Sequence, residues 1–226
     1  MNRLNQESLI GTSPVLLVID AQNDFLHPDG DVYCSACSGD QSITEVISKI
    51  NELVKIARDV DMPIIWSKES HRRDGTDRGT ELLRETTTHT ERDTWGESFH
   101  NQLAIKKNSI NPAEYIIHKR RYNLFHGTDL RHLLNTFGVD TIILTGVTTS
   151  VCVHYTAQGA VEQDYVFRTV EECTAETTSE LHDAGLKCQS NIQSGGVQPF
   201  NLIKDEMDAY SGNDAVSKLK SDGEIF

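Results

Sequence analysis

The sequence predicts an α/β fold: a doubly wound, mainly parallel sheet of five or six strands with helices on both faces. Short runs rich in Val and Ile recur along the chain, apolar throughout instead of alternating, as expected of strands buried on both sides of a parallel sheet. Between them lie stretches with apolar residues at helical spacing. Strands alternating with helices pack as a parallel sheet with right-handed crossovers. At 226 residues the chain suits one domain over 1–226 with its core at about 13–200.

In chain order the strands are "PVLLVID" (14–20), "MPIIWS" (62–67), "EYIIHK" (114–119), "VDTIILTG" (139–146) and "DYVFRTV" (164–170), with "GGVQPF" (195–200) as a sixth, edge strand. Helices are expected at 42–60, where Ile43, Val46, Ile47, Ile50 and Val54 share a face, at 128–137 opened by Thr128 and Asp129, at 150–163 and at 177–190. The connection 68–113 is long, charged and weakly periodic, which in a compact domain marks a lid or a disordered segment. The polar stretch 204–226 reads as a terminal helix or a loose tail.

Composition removes several function classes. A net charge of −13, with only "HRR" and "HKRR" as basic runs, argues against a nucleic-acid partner. No stretch approaches the roughly 18 apolar residues of a membrane span, and the first residues show no secretory pattern, so the expected location is the cytoplasm. Five cysteines make an odd count, which disfavours a disulfide framework, and the C-x-x-C of Cys34 and Cys37 lacks a thioredoxin-like or zinc-binding context. There is no G-x-S-x-G, Walker A or G-x-G-x-x-G pattern. The nine histidines are scattered, read mostly as solvated, and form no metal signature, so neither cofactor nor metal is expected.

In an open α/β sheet, ligands bind beyond the carboxyl ends of the strands. Asp20 and Lys119 end the first and third strands, and the fourth runs through Gly146 into "VTTSVC", so the fold brings Asp20, Lys119 and Cys152 to one edge. Taken singly each has another reading: Asp20 as a helix cap, Lys119 as a solvated strand end, Cys152 as a small core residue. Together they form a thiol at the start of a helix, where the dipole and a neighbouring ammonium favour thiolate and amides lacking intrahelical partners can receive an oxyanion. Asp20 would be the acid and base.

"LLVIDAQNDFLHPDG", "KRRYNLFHGTDL" and "LTGVTTSVCVHYTAQGA" resemble, in order, the three signature blocks of the isochorismatase-like cysteine hydrolases, a family that includes nicotinamidase, N-carbamoylsarcosine amidase, ureidoacrylate amidohydrolase and biuret hydrolase. The resemblance implies a Rossmann-like hydrolase fold, an Asp20–Lys119–Cys152 triad, a cis peptide at Val147–Thr148, an oxyanion hole on the amides of Thr148 and Cys152, and a homodimer or homotetramer. Where nicotinamidases carry an Asp-x-His metal site, this chain reads "WSKESHRRDGTD", which disfavours a metal and nicotinamide. "ESHR" resembles the "EGHR" of ureide-cleaving members, and "QSGGV" their substrate-side segment. Phe25, Glu69, Trp95, Tyr122, Phe125 and Gln193 are the expected substrate contacts, with a loop or core role as the alternative.

The expected activity is hydrolysis of a C–N bond in a small linear amide or ureide through a thioester. The alternatives are an ether or ester hydrolase of the same fold and a catalytically idle scaffold.

Overall fold

A computed structural model describes residues 8–80, 88–105 and 113–223. Among these residues seven strands form one sheet: β1 (Pro14–Ile19), β2 (Ala36–Cys37), β3 (Ile64–Glu69), β4 (Glu114–Lys119), β5 (Thr141–Val147), β6 (Val166–Glu176) and β7 (Val197–Gln198). Their order is β2-β6-β5-β1-β3-β4, with β7 also on β6, and all pairings are parallel except β2 with β6. The chain steps outward from β1 to β3 and β4, then returns to β1's other side for β5. The switch point therefore lies between β1 and β5, where an open parallel sheet forms its crevice.

The apolar strand runs have the predicted cause. Along β1, Leu16 and Val18 face one hydrophobic cluster and Val15, Leu17 and Ile19 the other, all fully buried. Helix α2 (Ile43–Asp59) supplies Val46, Ile47, Ile50, Leu53 and Val54 to the first cluster. It opens with a capping box in which Ser42 and Glu45 each satisfy the other's backbone N–H. At the crevice, Gly146 has φ +101°, and a Cβ there would fall 2.0 Å from Ile19 O, so only glycine lets β5 end this close to β1.

Several elements differ from the sequence reading. β3 starts and ends two residues later, so Glu69 is a strand residue in register with Lys119. β6 runs on to Glu176, well past residue 170. The expected edge strand at 195–200 shrinks to Val197–Gln198, because Pro199 has no N–H for a ladder and leads straight into α6 (Phe200–Asp208). The helix at 150–163 begins with a π-helical turn, Thr149–Val153, before α4 (His154–Val161). A one-turn helix α1 (Asn23–Leu26) and the antiparallel β2 were not anticipated. The remaining helices are α3 (Leu130–Thr136), α5 (Ser179–Ile192) and α7 (Asp214–Gly223).

Within the 68–113 connection, residues 81–87 and 106–112 lie outside the described ones. The rest is tied to the segment after β1. Gln22 Nε2 donates to Glu69 O at 2.9 Å and to Glu97 O at 2.8 Å, and Asn23 Nδ2 donates to Trp95 O at 2.8 Å. Asp24 Oδ2 accepts from Thr90 N at 2.6 Å.

Candidate active site

Four charged or nucleophilic side chains meet at the carboxyl edge of β1, β3, β4 and β5. Lys119 Nζ lies 2.7 Å from Asp20 Oδ2 and 3.0 Å from Glu69 Oε2, and donates to Cys152 Sγ at 3.3 Å. Asp20 and Lys119 are fully buried, and Glu69 and Cys152 nearly so. Asp20 caps no helix: it has φ +47°, a conformation aspartate tolerates better than most residues, and its Oδ1 accepts from Ser67 Oγ at 2.6 Å. The same Ser67 hydroxyl accepts from Asp20 N at 3.1 Å. The Asp20 carboxylate is thus held between the Ser67 hydroxyl on Oδ1 and the Lys119 ammonium on Oδ2.

Glu69 stands among protein partners on both sides of its carboxylate. Oε2 faces Lys119 and lies 3.7 Å from Cys152 Sγ. Oε1 receives His71 Nε2 at 3.0 Å and His89 Nε2 at 3.1 Å. Both its oxygens are committed to the protein. These two rings are buried, as are His100 and His182, while the other five histidines keep solvent exposure.

Burial would raise the Glu69 carboxyl, but Lys119 and the two imidazoles outweigh it and hold it well below its ordinary value. Asp20 goes the other way, raised mainly by burial and also by Glu69, against the pull of Lys119. Lys119 is held well above its ordinary value, since the charges of Asp20, Cys152 and Glu69 outweigh its desolvation. At Cys152 the helix start and the Lys119 ammonium, which by themselves favour thiolate, are outweighed. Burial pushes the thiol's pKa well up against the relief from Lys119, and the carboxylates of Asp20 and Glu69 push in the same direction as burial. The direction of these effects favours the neutral thiol, beside the Asp20 carboxyl.

Donor atoms of Asp20, Glu69 and Cys152 lie within 4.8 Å of one another, a spacing a cation would also accept. Lys119 Nζ stands within 3.3 Å of an atom of each, so a fixed ammonium already fills that role.

The peptide Val147–Thr148 is cis. In the turn that follows, the amides of Val151 and Val153 donate to Thr148 O at 3.2 and 3.1 Å, and that of Ser150 to Glu176 Oε2 at 2.9 Å. The amides of Ser150, Val151 and Val153 are thereby committed within the protein.

The other expected contacts divide. Phe25 is buried in the core, edge-on to His89 at 5.6 Å. Trp95 is half exposed and packs edge-on against His27 at 4.9 Å. Tyr122 packs against Tyr155, and both line a cleft of about 410 Å³ with Arg121, Asn123 and His126. Phe125 stacks on Tyr165 beside Gly159. Gln193 is elsewhere: its Oε1 accepts from Phe167 N and Arg168 Nη1, both at 3.0 Å, near the amino end of β6 and so at the opposite edge of the sheet. Sequence reasoning missed Ser67, which orients Asp20, and Glu176, His182 and Gln189, which hold the turn. Ser67 lies two residues before Glu69 on the same strand, and that spacing was the available signal.

Comparison with known proteins bears on the same residues. The Isochorismatase domain profile matches residues 14–196. The chain belongs to the isochorismatase family. A probable inactive nicotinamidase of Arabidopsis thaliana is 33% identical over 184 residues, covering 78% of this chain and 88% of that protein. A ureidoacrylate amidohydrolase of Methylobacterium radiotolerans is 26% identical over 204 residues, covering 79% and 72%. Among solved structures, an isochorismatase-like hydrolase from Alkaliphilus metalliredigens superposes with TM-score 0.71 at 27% identity, over 89% of this chain and 98% of that one. The fold is thus that of isochorismatase-like hydrolases, and relatives of this chain include amidohydrolases. No helix among the described residues is long and apolar enough to cross a membrane.

Proposed function

We propose that the protein is a cysteine amidohydrolase acting on a small linear amide or ureide, with Cys152 as nucleophile, Asp20 as proton carrier and Lys119 as the cation that stabilises their anionic forms. The observation that carries this reading is the buried cluster in which one ammonium contacts both Asp20 and the Cys152 thiol.

The charge arrangement supports Asp20 as the base over Glu69, which is also near the sulfur. A carboxyl with a raised pKa is the stronger base, while Glu69, held low by Lys119 and two imidazoles, accepts a proton poorly. Because a free thiolate is disfavoured, the thiol proton passes to Asp20 as sulfur attacks the carbonyl carbon. The resulting oxyanion rests on the amides of Thr148 and Cys152. Collapse breaks the C–N bond, the leaving nitrogen takes the proton from Asp20, and a thioester remains. Water then gives a proton to Asp20 and adds to the thioester, and collapse releases the acid and returns the proton to sulfur. No external acid, base or oxidant is consumed.

Ammonia release across ureides, carbamoyl amino acids, maleamate and nicotinamide, with Cys152→Ala as the blank, tests the reading. At least one linear amide or ureide should release ammonia at a rate the blank lacks. If the parent matches Cys152→Ala on the whole panel, the reading fails, and the idle scaffold that the name of the Arabidopsis relative suggests takes its place.

A further inference from the structure

Helix α5 buries three residues, His182, Gly185 and Gln189, and none is a large apolar side chain. Their spacing of three and four puts them on one face. All three address the turn that carries Cys152. A Cβ on Gly185 would lie 2.8 Å from Ser150 Cα and 2.9 Å from Ser150 N, so the helix backbone rests directly on the turn. Gln189 Nε2 donates to Thr149 O at 3.0 Å, while its Oε1 accepts from Thr169 Oγ1 at 2.6 Å. An amphipathic surface helix ordinarily buries a stripe of Leu, Ile or Val; here polar contacts replace it.

His182 is the centre of this face, 1% exposed. Its Nδ1 is 2.8 Å from Thr149 Oγ1 and its Nε2 is 2.9 Å from Ser38 Oγ. The Thr149 hydroxyl also contacts Ala175 O at 3.0 Å, and a carbonyl only accepts. The single hydroxyl proton therefore goes to Ala175, and Thr149 Oγ1 must accept from Nδ1–H. Nε2 is then the bare nitrogen and accepts from Ser38. Burial lowers the ring's pKa, against Asp183, Glu171 and Glu176, which agrees with a neutral ring.

We infer that His182, held as its Nδ1–H tautomer between Ser38 and Thr149, is a positioning residue that fixes the turn bearing Cys152. It touches no reacting atom and acts through Thr149, three residues before the sulfur. The inference rests on the hydrolase reading for its kinetic consequence. Small displacements of a nucleophile cost up to about 100-fold in rate without altering substrate affinity.

His182→Ala should lower kcat for amide hydrolysis about 10- to 100-fold with KM changed less than about two-fold. His182→Asn carries a side-chain N–H at the Nδ1 position and should recover most of that loss. In 15N-histidine-labelled parent protein, Nδ1 of His182 should show a protonated shift and Nε2 a bare one. The role is overturned if both variants keep the parent's kcat, if both lose it equally, or if the proton is on Nε2. Should the alanine variant fail to fold, Thr149→Val, which deletes the accepting oxygen at constant shape, takes its place with the same expected loss. If the parent releases no ammonia from any amide, the hydrolase reading fails by itself. The tether is then judged by the rate of Cys152 alkylation across pH, which should change in His182→Ala and return in His182→Asn; an unchanged rate overturns it.

Discussion

Asp20 and Glu69 are two carboxyls beside one ammonium, and their environments drive them apart. Asp20→Asn is predicted to abolish turnover, while Glu69→Gln, which keeps the imidazole contacts and removes a charge, reduces it less; steady-state kinetics on the pair check the order. Because the Asp20 carboxyl is raised above its ordinary 3.8, its base form is lost as pH falls through a value higher than that of an exposed aspartate. The acid limb of kcat/KM should accordingly lie above 3.8. A limb at or below it would remove Asp20 as the base. Lys119→Met leaves two carboxyls buried without their cation and should cost about 3–5 kcal/mol of stability near neutral pH, measured by urea unfolding. The deficit should shrink in acid as the carboxyls protonate. At this scale Asp20, Lys119 and Cys152 were legible because each follows an apolar strand. That β3 continues to Glu69 was missed, because strand ends are set by tertiary pairing and "SKE" carries no apolar signal.

The elements around the nucleophile show what sequence pattern cannot carry. Five strands were readable from their unbroken apolar runs and four helices from their periodicity, since burial imposes both. The π-helical turn was not, because its backbone pairing depends on Thr148 O accepting from both Val151 and Val153. Nor was the polar face of α5, which reads as a weak helix and whose purpose emerges only when β6 reaches Glu176 and brings it to Ser150 at 2.7 Å. Gly185→Ala puts a methyl against Ser150 and removes no hydrogen bond. It should lower kcat with little effect on KM, and an unchanged kcat would mean that α5 can shift without moving the turn.

For the whole molecule, strand order does the assembling. Asp20, Glu69 and Lys119 end three neighbouring parallel strands, and Cys152 follows the strand on the other side of the switch point. The site is thereby assembled from residues far apart in sequence, without a long insertion to carry it. The convergence of Asp20, Lys119 and Cys152 followed from the alternation of strands and helices, and that of Glu69 from the β3–β4 register. The subunit arrangement does not follow from it, and the exposed Ile116, Tyr155, Leu181 and Leu202 leave apolar surface on the monomer. A homodimer or homotetramer is expected by light scattering after size exclusion; a monomer at micromolar concentration would contradict it.

The central claim is that the acyl group passes through Cys152. Hydroxylamine added to a turnover reaction intercepts a thioester and converts it to a hydroxamate. The account predicts that hydroxamate replaces acid as hydroxylamine rises, and that Cys152→Ala forms neither product. Ammonia release that persists in Cys152→Ala, or that proceeds in the parent with no hydroxamate at any hydroxylamine concentration, would contradict it.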